Sequence, residues 1–420
     1  MSTKLLTRLL TRNTVNHVSF MKFNTTRIKL KNEDILKKTI IPEPVSGMHQ
    51  AAVLKSFNEP LVIENIEPVK VSNDNEVLID VHYCALNGPD ALLAKNNHTF
   101  EPALPNILGY EIAGKLVEVG GEAKKNGFKI GDKVVALNKT KFGGFKNQCI
   151  AEMSDIWKVQ SSDKLLDSVC LLENYMTALI GLDKKANLQE DEMVLINVGL
   201  GGIGLAAVDI AVNVFRAQVI GVSASEEKAA MVRDKGAFAS LKYDDKKLVK
   251  KIVEFADERD IEDVFDGPEG EKFKKMLDCF TKVYEEKYQT NMLRDDNFDV
   301  LVEHLSREGR MILAGFTAKN GKNGSEKKTD DDEDEKKNSF VPSGINLLKY
   351  KSIDFEAYRE AGQDVLQYYD EGLIKPSYSL ITGLYNINDA LKCTTDMKCF
   401  GKVIIDLKHP DLETKQTSNN

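Results

Sequence analysis

The stretch that decides the fold is Val194-Leu195-Ile196-Asn197-Val198, followed without a break by Gly199-Leu200-Gly201-Gly202-Ile203-Gly204 and the apolar residues from Leu205 to Val214. The first part reads as a buried strand and the last as a helix. The GxGxxG spacing therefore lies where it binds a dinucleotide, between a strand and the helix after it. Gly199 permits the tight turn, Gly201 lets backbone amides approach a pyrophosphate, and Gly204 lets helix and strand pack closely, with Gly202 in the same loop. The helix N-terminus adds a partial positive charge facing the phosphates.

The next strand, Val219-Ile220-Gly221-Val222, ends at Ser223, where a site for NAD would carry an acidic residue on the ribose hydroxyls. Ser223 and Ser225 instead offer hydrogen bonds to a 2′-phosphate, and Lys228 adds charge, so the expected cofactor is NADPH. Glu226 and Glu227 lie close by, and a carboxylate facing the phosphate would oppose it. Further buried strands are expected at Asp263 to Phe265 and Arg310 to Leu313, with helical periods between them, which implies a parallel α/β sheet.

Upstream, from Met48, the runs are short and β-branched: Ala51 to Leu54, Leu61 to Ile66, Glu76 to Tyr83 and Ile112 to Val119. Turn signals at Asn87-Gly88-Pro89, Gly120-Gly121, Gly131-Asp132 and Gly143-Gly144 separate them, giving a β-rich lobe. Downstream, Lys282 to Asn297 is polar and charged, and 319–338 is rich in Gly, Lys and acid with almost no apolar residue. The second segment cannot bury enough surface to fold alone and reads as a solvated insertion, with a basic partner or a metal as the other uses of its charge. The pattern resumes through Leu347 to Phe355, a helix near Asp364 to Tyr369 and a closing strand Lys402 to Leu407.

Hydrophobic residues make up 42% of the 420 and charged residues 29%, enough for a large core in two lobes, and no stretch approaches a membrane span. A formal net charge of −8 argues against nucleic acid as a partner. Six cysteines are scattered without CxxC spacing, so neither structural zinc nor a disulfide framework is expected, and a reducing compartment suits them. Residues 1–44 begin with Lys4, Arg8 and Arg12 on one helical face beside a stripe of leucines, with no acid before Glu33. That composition fits a mitochondrial transit peptide, with a basic tail on a cytoplasmic protein as the alternative.

Four motifs carry a resemblance that runs from about Met48 to Leu407: Asn87-Gly88-Pro89-Asp90, Leu108-Gly109-Tyr110-Glu111-Ile112-Ala113-Gly114, Val117-Glu118-Val119-Gly120 and Gly131-Asp132-Lys133-Val134. In that order they resemble the catalytic-domain signature of the medium-chain dehydrogenase/reductase superfamily. Asn174-Tyr175-Met176-Thr177-Ala178 and Gly401-Lys402-Val403 are similar to its zinc-independent quinone oxidoreductase branch. The resemblance implies an α/β protein with a GroES-like β-rich catalytic domain over 45–170, completed by 366–409, and a Rossmann domain over 171–365, with 410–420 as a tail. It also implies cofactor contacts from Asn87 and Thr177 near the nicotinamide, Phe316 at its amide, and Tyr243 and Lys402 near the adenosine end. A homodimer joined through the Rossmann edge strand, around Lys351 to Phe355, belongs to the same inference.

Zinc-dependent members would need a Cys in the loop that here reads Asn87-Gly88-Pro89-Asp90 and a His where this chain has Tyr110, while Cys84 lies three residues too early. With two ligands gone, no metal is expected. Hydride transfer then depends on positioning, which suits a quinone or activated enone. Tyr110, Asn174 and Tyr175 are the candidates for the acceptor pocket, and Asn87, Tyr110 and Tyr175 those for catalysis. Two alternatives share the fold: an NADPH-binding protein of weak or no activity, and a mitochondrial enoyl thioester reductase. The second lacks the Tyr expected after Asn87-Gly88-Pro89-Asp90, where the chain reads Lys95 to Phe100, leaving His98 as the substitute acid.

Overall fold

The computed structural model describes residues 42–98, 100–160, 164–198, 202–255, 263–266, 310–314, 342–396, 398–413 and 415–416. The expectations for the presequence, for Gly199, Gly201 and Phe316, and for the segments 282–297 and 319–338 lie outside the described residues. The fold is of the α/β class, a β-rich lobe joined to a parallel sheet.

The expected buried runs become a parallel sheet. Strands β8 (Met193–Val198), β9 (Gln218–Ser223), β10 (Ala239–Lys242), β11 (Asp263–Asp266), β12 (Arg310–Ala314) and β13 (Pro342–Ile345) lie in the order β10-β9-β8-β11-β12-β13. Every neighbouring pair is parallel. The order reverses between β8 and β11, and in sheets of this kind the ligand crevice lies beyond the C-terminal strand ends at that reversal. The glycine run leaves β8 at this point. It leads into helix α2 (Gly202–Ile210), which is buried from Gly204 onward and continues as a wider π-type turn over Ala211–Phe215.

The N-terminal lobe contains β1 (His49–Val53) paired with β2 (Val62–Ile66), and a larger sheet from β3 (Glu76–Leu86), β4 (Glu111–Val119), β5 (Lys133–Leu137), β6 (Gln148–Glu152) and β7 (Ile156–Lys158). Between β3 and β4 stands the short helix α1 (Gly88–Ala94). Two late strands, β14 (Tyr378–Gly383) and β15 (Lys402–Asp406), join the same sheet. β15 runs antiparallel to β3 and parallel to β14. The chain thus leaves this lobe, builds the parallel sheet and returns to close the first.

Two helices near the end correct the sequence reading. Residues 351–355 are not an edge strand: the last strand of the parallel sheet is β13, and α5 (Leu347–Ile353) and α6 (Phe355–Asp370) follow it. Each helix has its own cap. Asn346 Oδ1 accepts from the Lys349 amide at 3.1 Å and Asp354 Oδ1 from the Ala357 amide at 3.0 Å, which settles the stretch as helix. The second correction concerns cysteine. Cys393, on α7 (Ile387–Thr395), and Cys399 form a disulfide across the turn before β15, with Cα atoms 5.8 Å apart, while Cys84, Cys149 and Cys170 are buried thiols.

Helix α6 holds the lobes together. The indole of Trp157, on β7, is 1% exposed and its Nε1 donates to the Arg359 carbonyl at 3.0 Å. The Arg359 guanidinium lies 4.2 Å from the same ring and donates to the carbonyls of Ser154 and Ile156 at 3.0 and 2.8 Å. A cation over an indole face is attractive, most of all when water is excluded. Gly362 faces the indole edge so closely that a Cβ there would sit 2.3 Å from Trp157 Cε2.

Candidate active site

Four polar side chains from distant parts of the sequence meet in the N-terminal lobe. Glu111 starts β4 and is fully buried, and Lys402 starts β15 at 3% exposure. The Lys402 ammonium donates to Glu111 Oε2 at 2.6 Å and to Asn87 Oδ1, and Asn87 Nδ2 donates to Glu111 Oε2 at 2.9 Å. Asp90 closes the loop: its Oδ2 accepts from the Asn87 amide at 2.9 Å and its Oδ1 from the Gly109 amide at 3.0 Å. Burial outweighs these two donors and pushes the Asp90 carboxyl up to about 7. Lys402 therefore stands with Asn87 rather than at the adenosine end, which corrects the placement that the resemblance implied.

A second ion pair is hydrogen-bonded to the first. Glu111 Oε1 accepts from the Glu173 amide at 2.9 Å, and the Glu173 carboxylate, 1% exposed, accepts from Lys139 Nζ at 2.8 and 2.9 Å. Glu173 opens a helical stretch over 172–185 in which π-type turns flank an α-turn at Thr177–Ile180. Thr177 Oγ1 donates back to the Glu173 carbonyl at 2.7 Å. Lys139, Glu173 and Thr177 line a pocket together with Ile203, from the first turn of α2, and Asn346 and Leu347, from the start of α5.

Tyr110 borders this layer, with Lys139 Nζ 5.2 Å from its ring centroid. Its hydroxyl is buried with no hydrogen-bond partner among the described residues, and burial with the nearby carboxylates pushes its ionisation well up. Tyr175 points elsewhere. Its hydroxyl donates to Asp209 Oδ2 on α2 at 2.7 Å, in a buried group that also contains the Lys235 ammonium and the backbone of Lys375. Tyr175 thus fastens helices together and is not brought to the pocket. Asn174 is 6% exposed, and its amide stands where a Cβ on Gly202 would be.

The glycine loop meets its steric requirement where it is described. A Cβ on Gly204 would lie 2.5 Å from the Asn197 carbonyl oxygen and 3.0 Å from Val198 Cα, so α2 could not approach β8 as it does. A dinucleotide fits this crossing of strand end and helix start. The adenosine end is arranged differently from the sequence reading. Ser223 is fully buried and its hydroxyl is within reach of the Ser225 and Leu241 carbonyls at 3.2 and 3.4 Å. Ser225 is the N-cap of α3 (Glu226–Asp234), its Oγ accepting from the Lys228 amide at 3.4 Å, and it hydrogen-bonds Glu227, which holds that carboxyl down. Lys228 is 7% exposed, and the Tyr243 hydroxyl bonds to Asn197 Oδ1.

Lys139 and the central place of Glu111 were not picked out from the sequence. The available signal was charge in apolar context: Glu111 sits inside Tyr110-Glu111-Ile112-Ala113, and Lys139 closes the strand Val134-Val135-Ala136-Leu137 two residues on. A charged residue so placed requires a partner.

The chain is similar to several characterised groups of proteins. Residues 73–165 match the alcohol dehydrogenase GroES-like domain. Quinone oxidoreductase-like protein 2 of Rattus norvegicus is 28% identical over 377 residues, covering 86% of this chain and 93% of that protein. A homolog of the same protein in Nematostella vectensis is also 28% identical, over 372 residues, covering 86% and 89%. Among solved structures, Escherichia coli quinone oxidoreductase complexed with NADPH superposes with a TM-score of 0.66 at 20% identity, covering 86% of this chain and 99% of that one. The GroES-like match, the order of the parallel strands and the near full-length relatives agree: the chain is similar to the quinone oxidoreductase-like proteins and has the two-lobed fold of such oxidoreductases.

Proposed function

We propose that this oxidoreductase-family chain uses NADPH to reduce a quinone or an activated enone without zinc. The observation that carries the reading is the pocket where Thr177, Glu173 and Lys139 face Ile203, the residue just before Gly204 at the start of α2. When bound, the reduced nicotinamide would supply the hydride. The chain's own residues would bind and orient: Gly204 lets α2 start close against β8 so that its first turn faces the pyrophosphate, Thr177 sits at the nicotinamide end, and Lys228 contributes charge near the 2′-phosphate. Asn87 is locked by Glu111 and Lys402. The donors at the two expected zinc-ligand positions are an amide and a phenol, Asn87 and Tyr110, which suit positioning better than metal binding.

Titration of the protein with NADPH and NADH by fluorescence, followed by 9,10-phenanthrenequinone, tests this directly. NADPH is expected to bind more tightly and to be oxidised on addition of the quinone. Gly204→Val is expected to weaken NADPH binding about 100-fold or more, since α2 must leave β8 to admit the side chain. Equal binding by that variant would sink the cofactor site. The second reading, an NADPH-binding protein without turnover, is favoured by one observation: the Lys139–Glu173 ion pair fills one wall of the acceptor pocket. Tight NADPH binding with no oxidation by any quinone or enone would establish it.

The reading extends to a mitochondrial location, supported by the basic, acid-free residues before Glu33, and to a homodimer. Support for the dimer comes from β13 at the sheet edge and from exposed Ile353 and Phe355 beside it. Import of the full chain into isolated mitochondria and its sedimentation mass check the two: no import, or a monomer at micromolar concentration, would remove them.

A further inference from the structure

We propose that Lys139 is a catalytic residue whose ammonium receives the carbonyl oxygen of a conjugated acceptor and gives it the proton. The inference rests on the reductase reading above and names the group that completes the reaction.

Placement is the first argument. Lys139 follows β5 and lines the same pocket as Thr177 and Ile203, at the start of α2, so a nucleotide bound at that helix start would bring an acceptor near the Lys139 head group. Its side chain is 12% exposed and its ammonium is held by the Glu173 carboxylate, itself 1% exposed and anchored through its amide to Glu111. A cation fixed in a largely dry site is worth far more to a developing oxyanion than one in water, and it needs no reorganisation when the charge appears.

Elimination among the described residues points the same way. The Tyr110 hydroxyl, though in the same layer, is pushed well up by burial and by the neighbouring carboxylates, so it resists losing a proton. Tyr175 is committed to Asp209, and Lys402 to Glu111 and Asn87. Glu111 and Glu173 would repel an oxyanion unless their counter-ions stay in place. Lys139 is the cation that both balances Glu173 and opens on the pocket.

The step balances as follows. A bound reduced nicotinamide would supply the hydride, two electrons with one hydrogen, for a new C–H bond at the acceptor carbon conjugated with the carbonyl. The displaced π pair passes to the carbonyl oxygen, giving an enolate or phenolate. That oxygen takes a proton from the Lys139 ammonium, and water returns one to the amine. The acceptor would be reduced by the two electrons that the nicotinamide gives up. An ammonium carries three N–H donors, so one can meet the arriving oxygen while the ammonium stays on Glu173.

The test uses the full chain saturated with oxidised NADP and titrated with 4-nitrophenol, whose yellow anion stands in for the product oxyanion, at a pH where the free phenol is mostly protonated. The wild type is expected to bind the probe as its anion. Lys139→Met should lose the anion signal and about tenfold or more in affinity, with NADPH affinity unchanged, and Lys139→Arg should keep the signal. Because Lys139→Met leaves a buried carboxylate unpaired, the pair Lys139→Met/Glu173→Gln is measured beside it and should behave alike. In turnover, kcat/KM for the quinone should fall about 100-fold or more while the KM for NADPH stays put. Anion binding at wild-type strength by the double variant overturns the proposal. If nucleotide binds and the probe ignores Lys139, only this inference falls; if the wild type binds no nucleotide, the reductase reading falls with it.

Discussion

Lys402→Met lowers the stability of the folded chain by about 3–5 kcal/mol, because it leaves the fully buried Glu111 carboxylate without its counter-ion. The loss exceeds that of a surface pair, about 0–1 kcal/mol, since water cannot reach Glu111 to replace the ammonium. Asn87 loses a partner at the same time, so the start of α1 loosens and nucleotide affinity falls with stability. The double variant Glu111→Gln/Lys402→Met, which buries no unpaired charge, recovers most of the deficit. Urea unfolding of the four proteins of this cycle measures the coupling. A single variant as stable as the wild type would show that Glu111 is neutral in the fold and that the pair carries no charge.

Gly362→Val separates the lobes locally. Its first added carbon would fall 2.3 Å from Trp157 Cε2, and the indole is buried with no free side to move toward. Overpacking of this kind costs about 1–3 kcal/mol when the neighbours can shift. Here the neighbours are the Arg359 guanidinium and the backbone carbonyl that accepts from the indole N–H, so the variant also loses polar contacts. Trp157 is the one tryptophan in the chain, and its emission reports the contact without labels. A shift of that emission to longer wavelength, with a lower midpoint of thermal unfolding, is the expected result. Unchanged emission would mean that α6 slides past the ring without strain.

Local patterns carried the parallel sheet into view. The run 194–204 needs only its own residues to be read, because a strand, a set of glycines and a helix follow each other in sequence. The helix caps Asn346 and Asp354 are equally local; the edge strand at 351–355 comes from the resemblance, and of Lys351-Ser352-Ile353-Asp354-Phe355 only Ile353 and Phe355 are apolar. The site's charge network was less legible for a different reason. Glu111 and Lys402 stand 291 residues apart, and Lys139 and Glu173 meet across a loop and a helix, so no window of sequence contains either pair. At the adenosine end, Ser223 stands at the strand end that the pattern predicts, but its hydroxyl lies against the carbonyls of Ser225 and Leu241. Which way a side chain turns at a strand end depends on the neighbouring strand, and β10 supplies that carbonyl. Tyr175 is the same lesson on a helix: its partner Asp209 lies on α2, one helix away.

The return of β15 to the first sheet sets an order on the ribosome. Glu111 emerges early, and its counter-ion follows 291 residues later, roughly 15–60 s of synthesis at about 5–20 residues per second. For that interval the growing chain holds most of a sheet whose central strand β3 lacks one neighbour and whose buried acid lacks a cation. Such an edge and such a charge both resist closing, so the N-terminal lobe stays an open nascent intermediate while the parallel sheet, continuous in sequence, is free to form first. The lobe translated first is therefore the lobe finished last.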